Sequence, residues 1–155
     1  MKSLSTTFVH SALVLAMFGV APAMAQTAPA QASAPPAASA PSFTPPDPTA
    51  IPDDEFGKMV RKGQDIFLKP GLYAGKFIGN DLSCASCHMD AGRRADASPL
   101  WAAYVLYPAY RAKNGHVNTL AERLQGCFQF SMNGAKPPAD SEVIVALESY
   151  MYWMA

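Results

Sequence analysis

Cys84-Ala85-Ser86-Cys87-His88 is the stretch that decides how the rest of the chain is read. Two thiols two residues apart, followed at once by an imidazole, form the attachment pattern of a covalent c-type haem. The thiols reach the two vinyl groups on one porphyrin edge, and the histidine sits beneath the iron as proximal ligand. Two competing chemistries fit less well. A zinc site needs a second Cys or His pair at metal spacing, and only Cys127 and His116 remain downstream. A redox dithiol of thioredoxin type needs a βαβ context, which the flanking sequence lacks. Cys84, Cys87 and His88 are therefore expected to hold one haem c.

Upstream of the motif, Asp53-Asp54-Glu55 is an acidic helix start. Phe56, Met59, Val60, Gly63, Ile66 and Phe67 then recur at helical spacing, and Lys69-Pro70-Gly71 ends the run. Near the other end, Pro137-Pro138 leads to Asp140 or Ser141 as N-cap. Ile144, Leu147, Tyr150, Met151 and Met154 make an apolar stripe that Val143, Ala146 and Trp153 widen. Between these two helices, Thr119-Leu120-Ala121-Glu122 is a capping box. Its helix should run to about Met132 and stop at Asn133-Gly134. The stretch from His88 to Thr119 reads poorly. Ser98-Pro99 is a possible helix start, Tyr104, Tyr107 and Tyr110 read as haem-side core, and Pro108 limits any helix there.

Further out, the chain stops resembling a folded domain. Gln26 to Pro52 holds eight alanines and eight prolines, with Asp47 as its one charge. Such a segment cannot bury a core and is expected to be extended and partly polyproline-like. Before it, Lys2, the apolar run Ser11–Val20 and Ala23-Met24-Ala25 read as a cleavable signal peptide. An uncleaved anchor would need about 20 apolar residues, and Pro22 arrives too soon. There is no twin-arginine pair and no lipobox cysteine. Export suits the motif, because bacteria attach haem c outside the cytoplasm. The expected organisation is a signal peptide over 1–25, a disordered linker over 26–52 and one haem domain over 53–155, located in the periplasm.

That domain carries 11 basic and 11 acidic residues. A neutral domain is a poor nucleic-acid binder. Three cysteines are too few for a disulfide scaffold. One small domain argues against a multidomain enzyme, and the apolar fraction, swollen by alanine, does not argue for a membrane channel.

The terminal helices resemble the crossing pair of cytochrome c, in which a glycine of the first, here Gly63, accepts an aromatic of the last, here Tyr150 or Trp153. The expected fold is all-α, about three to five helices around one covalent haem. Small cytochromes usually complete the iron with a methionine before a Pro-Pro, and here Lys136 holds that place. Cys127 is the leading candidate for the sixth ligand. It is the odd cysteine in an oxidising compartment, and Arg123, four residues earlier, shares its helix face. A guanidinium beside a thiolate lowers the thiol pKa and can hold a second anion. Met132, Lys136, His116, an open iron, an inert thiol and an intermolecular disulfide remain alternatives.

The run Val117-Asn118-Thr119-Leu120-Ala121-Glu122-Arg123-Leu124-Gln125-Gly126-Cys127-Phe128, then Ser131-Met132-Asn133-Gly134, resembles the catalytic haem domain of thiosulfate dehydrogenases. Tyr107-Pro108-Ala109-Tyr110-Arg111 fits as well. The Arg-x-x-x-Cys spacing also resembles SoxA-type haem subunits of periplasmic sulfur oxidation. The resemblance covers roughly Cys84 to Trp153. It implies that Cys127 ligates the iron opposite His88, and that Arg123 orients a sulfur dianion, with Arg111 and Lys113 as weaker candidates. It further implies coupling of two thiosulfates into tetrathionate, or transfer of thiosulfate to a carrier thiol. Two features depart from the group. Dehydrogenase members carry a second haem domain, whereas one haem motif is present here, and Phe130 stands where an arginine is expected. Three functions follow from this reading: an electron carrier in thiosulfate oxidation, a catalytic subunit that needs a partner cytochrome, or a haem-based sensor of small ligands.

Overall fold

The computed structural model describes residues 43–155. The expected signal peptide lies outside them, as does the Ala/Pro segment up to residue 42. The described chain is mostly helical. Helix α1 spans Glu55–Leu68, α2 Pro70–Tyr73, α3 Ala103–Leu106, α4 Leu120–Gly126 and α5 Glu142–Met154. Between α3 and α4, strands β1 (Ala109–Arg111) and β2 (His116–Asn118) form an antiparallel hairpin.

Helix α1 starts where the acidic run predicts. Asp54 is the N-cap and accepts a hydrogen bond from Gly57 N at 2.8 Å. Pro70 does not simply end the helix but opens the short α2. Helix α5 is capped at Ser141, and Lys62 of α1 pairs with Glu142 at its start. The two helices pack chiefly on each other. Val60, Ile66 and Phe67 of α1 and Ile144, Leu147, Tyr150 and Met154 of α5 are fully buried. Each such side chain contributes about 1.5–3 kcal/mol of burial. Gly63 lies at the crossing, where an added Cβ would stand 2.0 Å from Ala146 O and 2.8 Å from Tyr150 Cβ. Tyr150, rather than Trp153, is the aromatic that meets it. Phe56 falls outside the core, edge-on to Tyr152 at the surface.

The capping box forms in both directions: Glu122 N donates to Thr119 Oγ1, and Thr119 N donates to Glu122 Oε2. The helix changes pitch earlier than expected. From Cys127 to Ser131 it widens into a π-turn, with Met132 N donating to Cys127 O at 3.0 Å. Asn133 then adopts φ +49° and ends it, as the left-handed stop predicts.

The middle stretch corrects two expectations and adds a small hairpin. No helix opens at Ser98-Pro99; Ser98 has φ +51°, and α3 begins only at Ala103. Tyr104 and Tyr110 are exposed, so only Tyr107 faces the interior among the three tyrosines. The hairpin makes the domain mostly, not entirely, helical. Its four-residue connection contains Asn114-Gly115, with Gly115 at φ +72°, and that dipeptide is the turn signal that could have revealed it.

The last ten residues of the Ala/Pro segment lie against the domain. Arg93 donates to the carbonyls of Pro45 and Pro46, Pro45 is buried, and Phe43 packs on Trp101 with centroids 5.1 Å apart. Among the described residues, no helix is long and apolar enough to cross a membrane.

Candidate functional site

A cavity of about 420 Å³ lies between the α1–α5 pair, the Cys84–His88 loop, α3, the hairpin and α4. Its walls are largely apolar, with Phe67, Leu100, Leu120, Leu124, Phe128 and Leu147 among them. Cys84, Cys87 and His88 line it, and so do Arg111, Arg123, Cys127 and Met132.

The motif sits on a 3-10 turn, Cys84–Ser86, which closes with His88 N donating to Cys84 O at 2.9 Å. This turn brings both sulfurs and the imidazole to one cavity. His88 Nδ1 lies 2.6 Å from the carbonyl of Ser98. A carbonyl only accepts, so Nδ1 carries the proton and Nε2 keeps its lone pair for a metal. The left-handed Ser98 backbone presents that carbonyl, and it was not legible because it involves no side chain. Burial, with Cys127 as a second contributor, pushes the free Cys84 thiol up to about 12.

Cys127 caps α4 and begins the π-turn. Arg123 Nη1 donates to Cys127 Sγ at 2.9 Å, across one helical turn. Arg111 reaches the same cavity from β1. Lys113, in the hairpin turn, is not among the lining residues, and neither are Lys136 and His116. His116 instead contacts Glu122 and Asn118. Of the sixth-ligand candidates, Cys127 and Met132 are the two that border the cavity. Phe130 projects into solvent, 76% exposed.

These residues fit a haem. The donor set is two thiols, an imidazole with a free nitrogen and a further sulfur, all bordering one apolar space. Among the described residues, no three His, Cys, Asp or Glu side chains converge as a metal-binding group.

Comparison with known proteins points the same way. The family described as SoxA/TsdA, cytochrome c domain, matches residues 71–155. The thiosulfate dehydrogenase of Thiomonas intermedia (strain K12) is 63% identical over 113 residues, covering 73% of this chain and 36% of that protein. The thiosulfate dehydrogenase of Stutzerimonas stutzeri (strain A1501) is 50% identical over 113 residues, covering 73% and 37%. The solved thiosulfate dehydrogenase (TsdBA) from Marichromatium purpuratum, in its "as isolated" form, superposes with a TM-score of 0.70 at 48% identity, covering 74% of this chain and 26% of that one. The chain thus spans little more than a third of the length of these curated relatives.

Proposed function

Because this chain belongs to the SoxA/TsdA cytochrome c domain family, we propose that it is an exported monohaem cytochrome c that transfers electrons in thiosulfate oxidation. Its domain over 53–155 follows a signal peptide, 1–25, and a linker, 26–52, and works in the periplasm. Ala23-Met24-Ala25 supports export. Cys84 and Cys87 would hold the haem covalently, and His88 and Cys127 would ligate its iron. A bound haem would supply a one-electron couple at the cavity, and a redox partner protein would take up the electrons.

The observation that carries the reading is the 2.9 Å contact from Arg123 Nη1 to Cys127 Sγ on the wall shared with Cys84, Cys87 and His88. The contact fixes the Cys127 sulfur on the cavity wall, where it can serve as a ligand. The same guanidinium has further N–H groups for the oxygens of a thiosulfate dianion. Arg111 adds a second positive charge to the cavity wall. Both guanidinium side chains border the cavity but are solvent-exposed, so water screens their charge in part. The Nδ1–H of His88, held by Ser98 O, fixes the imidazole and keeps its Nε2 directed to ligation. Arg111 and Arg123 together support a second reading, a catalytic subunit that needs a partner cytochrome. Joining two thiosulfates into tetrathionate releases two electrons, so one haem needs a partner to receive them in turn.

Electron paramagnetic resonance on the purified ferric protein tests this, beside a Cys127→Ala variant. The expected result is a low-spin thiolate signature that disappears in the variant, with thiosulfate turnover falling about 100-fold or more in Arg123→Ala. A histidine/methionine signal unchanged by the substitution would remove Cys127 from the iron and bring forward Met132.

A further inference from the structure

The hairpin and α4 are joined by a polar network outside the cavity. Asn118, only 3% exposed, is the buried polar side chain among the described residues. Its Oδ1 accepts from Asn114 Nδ2 at 2.6 Å, and its Nδ2 lies 2.8 Å from His116 Nε2. His116 Nδ1 lies 3.2 Å from the carbonyl of Asn114, so Nδ1 carries the proton in the neutral ring. The same Nε2 stands 3.2 Å from Glu122 Oε1. The other oxygen of Glu122 accepts from Thr119 N, at the cap of α4.

Nε2 therefore has two partners with opposite requirements. In the neutral ring it can only accept, which suits the Asn118 amide and leaves the Glu122 carboxylate facing a lone pair. In the protonated ring it can only donate, which suits Glu122 and obliges the Asn118 amide to turn. The first state ties His116 within the hairpin. The second ties the hairpin to α4. His116 also stands opposite Arg111 in the strand register, and α4 carries Arg123 and Cys127. We propose that His116 is a proton-operated clamp that positions the Arg111 strand against the Arg123–Cys127 helix. Its consequence for substrate rests on the reading that a sulfur anion binds between those side chains.

The charged groups of the two elements around His116 are Arg111 and Lys113 of the hairpin and Glu122 and Arg123 of α4. Three of them are cations, and Glu122 is the one anion. Glu122 is itself held below the usual carboxylate range by the Thr119 amide first and by His116 second, so it is the ionised acceptor wherever the imidazole titrates. The clamp closes when Nε2 of His116 gains a proton and opens when that proton leaves. His116 and Glu122 are both solvent-exposed, so the pair is expected to move the hairpin without changing global stability measurably.

The test is amide hydrogen exchange over 109–126 in the haem-loaded protein at pH 5 and pH 8, corrected for intrinsic exchange. Wild type is compared with His116→Gln and Glu122→Gln. Glutamine keeps a neutral hydrogen-bonding group at both pH values, and Glu122→Gln keeps an acceptor for the cap. Hairpin amides of the wild type should exchange about fivefold more slowly at pH 5 than at pH 8 after correction, and both variants should lose that difference. In the same preparations, KM for thiosulfate with ferricyanide as acceptor should rise about threefold from pH 5 to pH 8 in wild type and stay flat in His116→Gln. The kcat ratio between the two pH values should match that of the wild type. Identical exchange profiles in wild type and His116→Gln would overturn the clamp. A clamp seen by exchange with no change in the KM profile would overturn its positioning role. Absence of thiosulfate turnover in wild type would instead sink the proposed function, and exchange would still decide the clamp.

Discussion

Helices α1 and α5 meet through Val60, Ile66, Phe67, Ile144, Leu147 and Tyr150, none of which has any exposure. The hairpin, α4 and the π-turn, which supply Arg111, Arg123 and Cys127, are held differently. Polar contacts join them, and Tyr110, Val117 and Phe130 are left in solvent. Both regions line one cavity. The first is set by shape and tolerates no added atom. The second also buries Leu120, Leu124, Phe128 and Met132, but its outer part is set by hydrogen bonds and charge and can shift as protons come and go. A cofactor of fixed size needs the first kind of wall, and an anion that must enter and leave needs the second.

The comparison is broken most forcefully at Gly63. Its missing Cβ would lie 2.0 Å from Ala146 O, so Gly63→Ala forces α1 and α5 apart along their whole contact. The expected loss is about 3 kcal/mol or more, through overpacking at a backbone-to-backbone approach. Urea unfolding of the haem-loaded protein, followed by far-ultraviolet circular dichroism, measures it. A loss under about 0.5 kcal/mol would show that the crossing has slack and that the contrast with the hairpin side is overstated.

The same contrast explains what was legible in the sequence. Helices α1 and α5 announce themselves because burial imposes a 3.6-residue rhythm on their apolar residues. The rhythm still overreached at Phe56, whose position at the first turn leaves it edge-on to Tyr152 at the surface. The capping box revealed α4 because Thr119 and Glu122 satisfy amides that nothing else can reach. The hairpin was missed because three-residue strands are too short to show alternation, and Tyr104, Tyr107 and Tyr110 imitate a helical spacing. The Arg123–Cys127 contact was legible from their spacing. The Ser98 carbonyl behind His88 and the grip of Arg93 on Pro45 and Pro46 were not, because backbone oxygens leave no mark on residue identity.

On the polar side the expected effects are smaller and depend on pH. Thr119→Ala removes the acceptor for Glu122 N and should cost about 1 kcal/mol at pH 7. The carboxyl of Glu122 sits below its ordinary range, held first by the Thr119 amide and then by His116. A depressed carboxyl contributes stability above its unfolded pKa and loses it as pH falls through the folded value. The difference between wild type and Glu122→Gln should thus persist at pH 7, shrink as pH drops through about 4 and vanish below the depressed value. Urea titrations at pH 7, 4 and 3 supply the curve. A difference that grew in acid would mean that Glu122 is not the capping carboxylate in solution.

The smallest expected effect is the sharpest control, because it repeats the Gly63 substitution in the other region. Gly126 lies at the end of α4, beside Cys127, with helical backbone at φ −62° and ψ −35°. An added Cβ there would find nothing closer than Phe130 Cδ2 at 4.0 Å, and the ring that owns that atom is itself exposed. Gly126→Ala therefore meets no steric cost and gains the helix preference of alanine over glycine. The expected change is a stabilisation of about 0.5 kcal/mol, through fewer conformations of the unfolded chain. The ferric spectrum should stay as in wild type, because the substitution leaves the Arg123–Cys127 geometry untouched. The same single methyl would then cost several kcal/mol at the α1–α5 crossing and stabilise slightly at the end of α4. A destabilisation above 1 kcal/mol, or an altered spectrum, would place Gly126 in close contact with a bound haem or a partner. The π-turn would then share the steric strictness of the α1–α5 crossing.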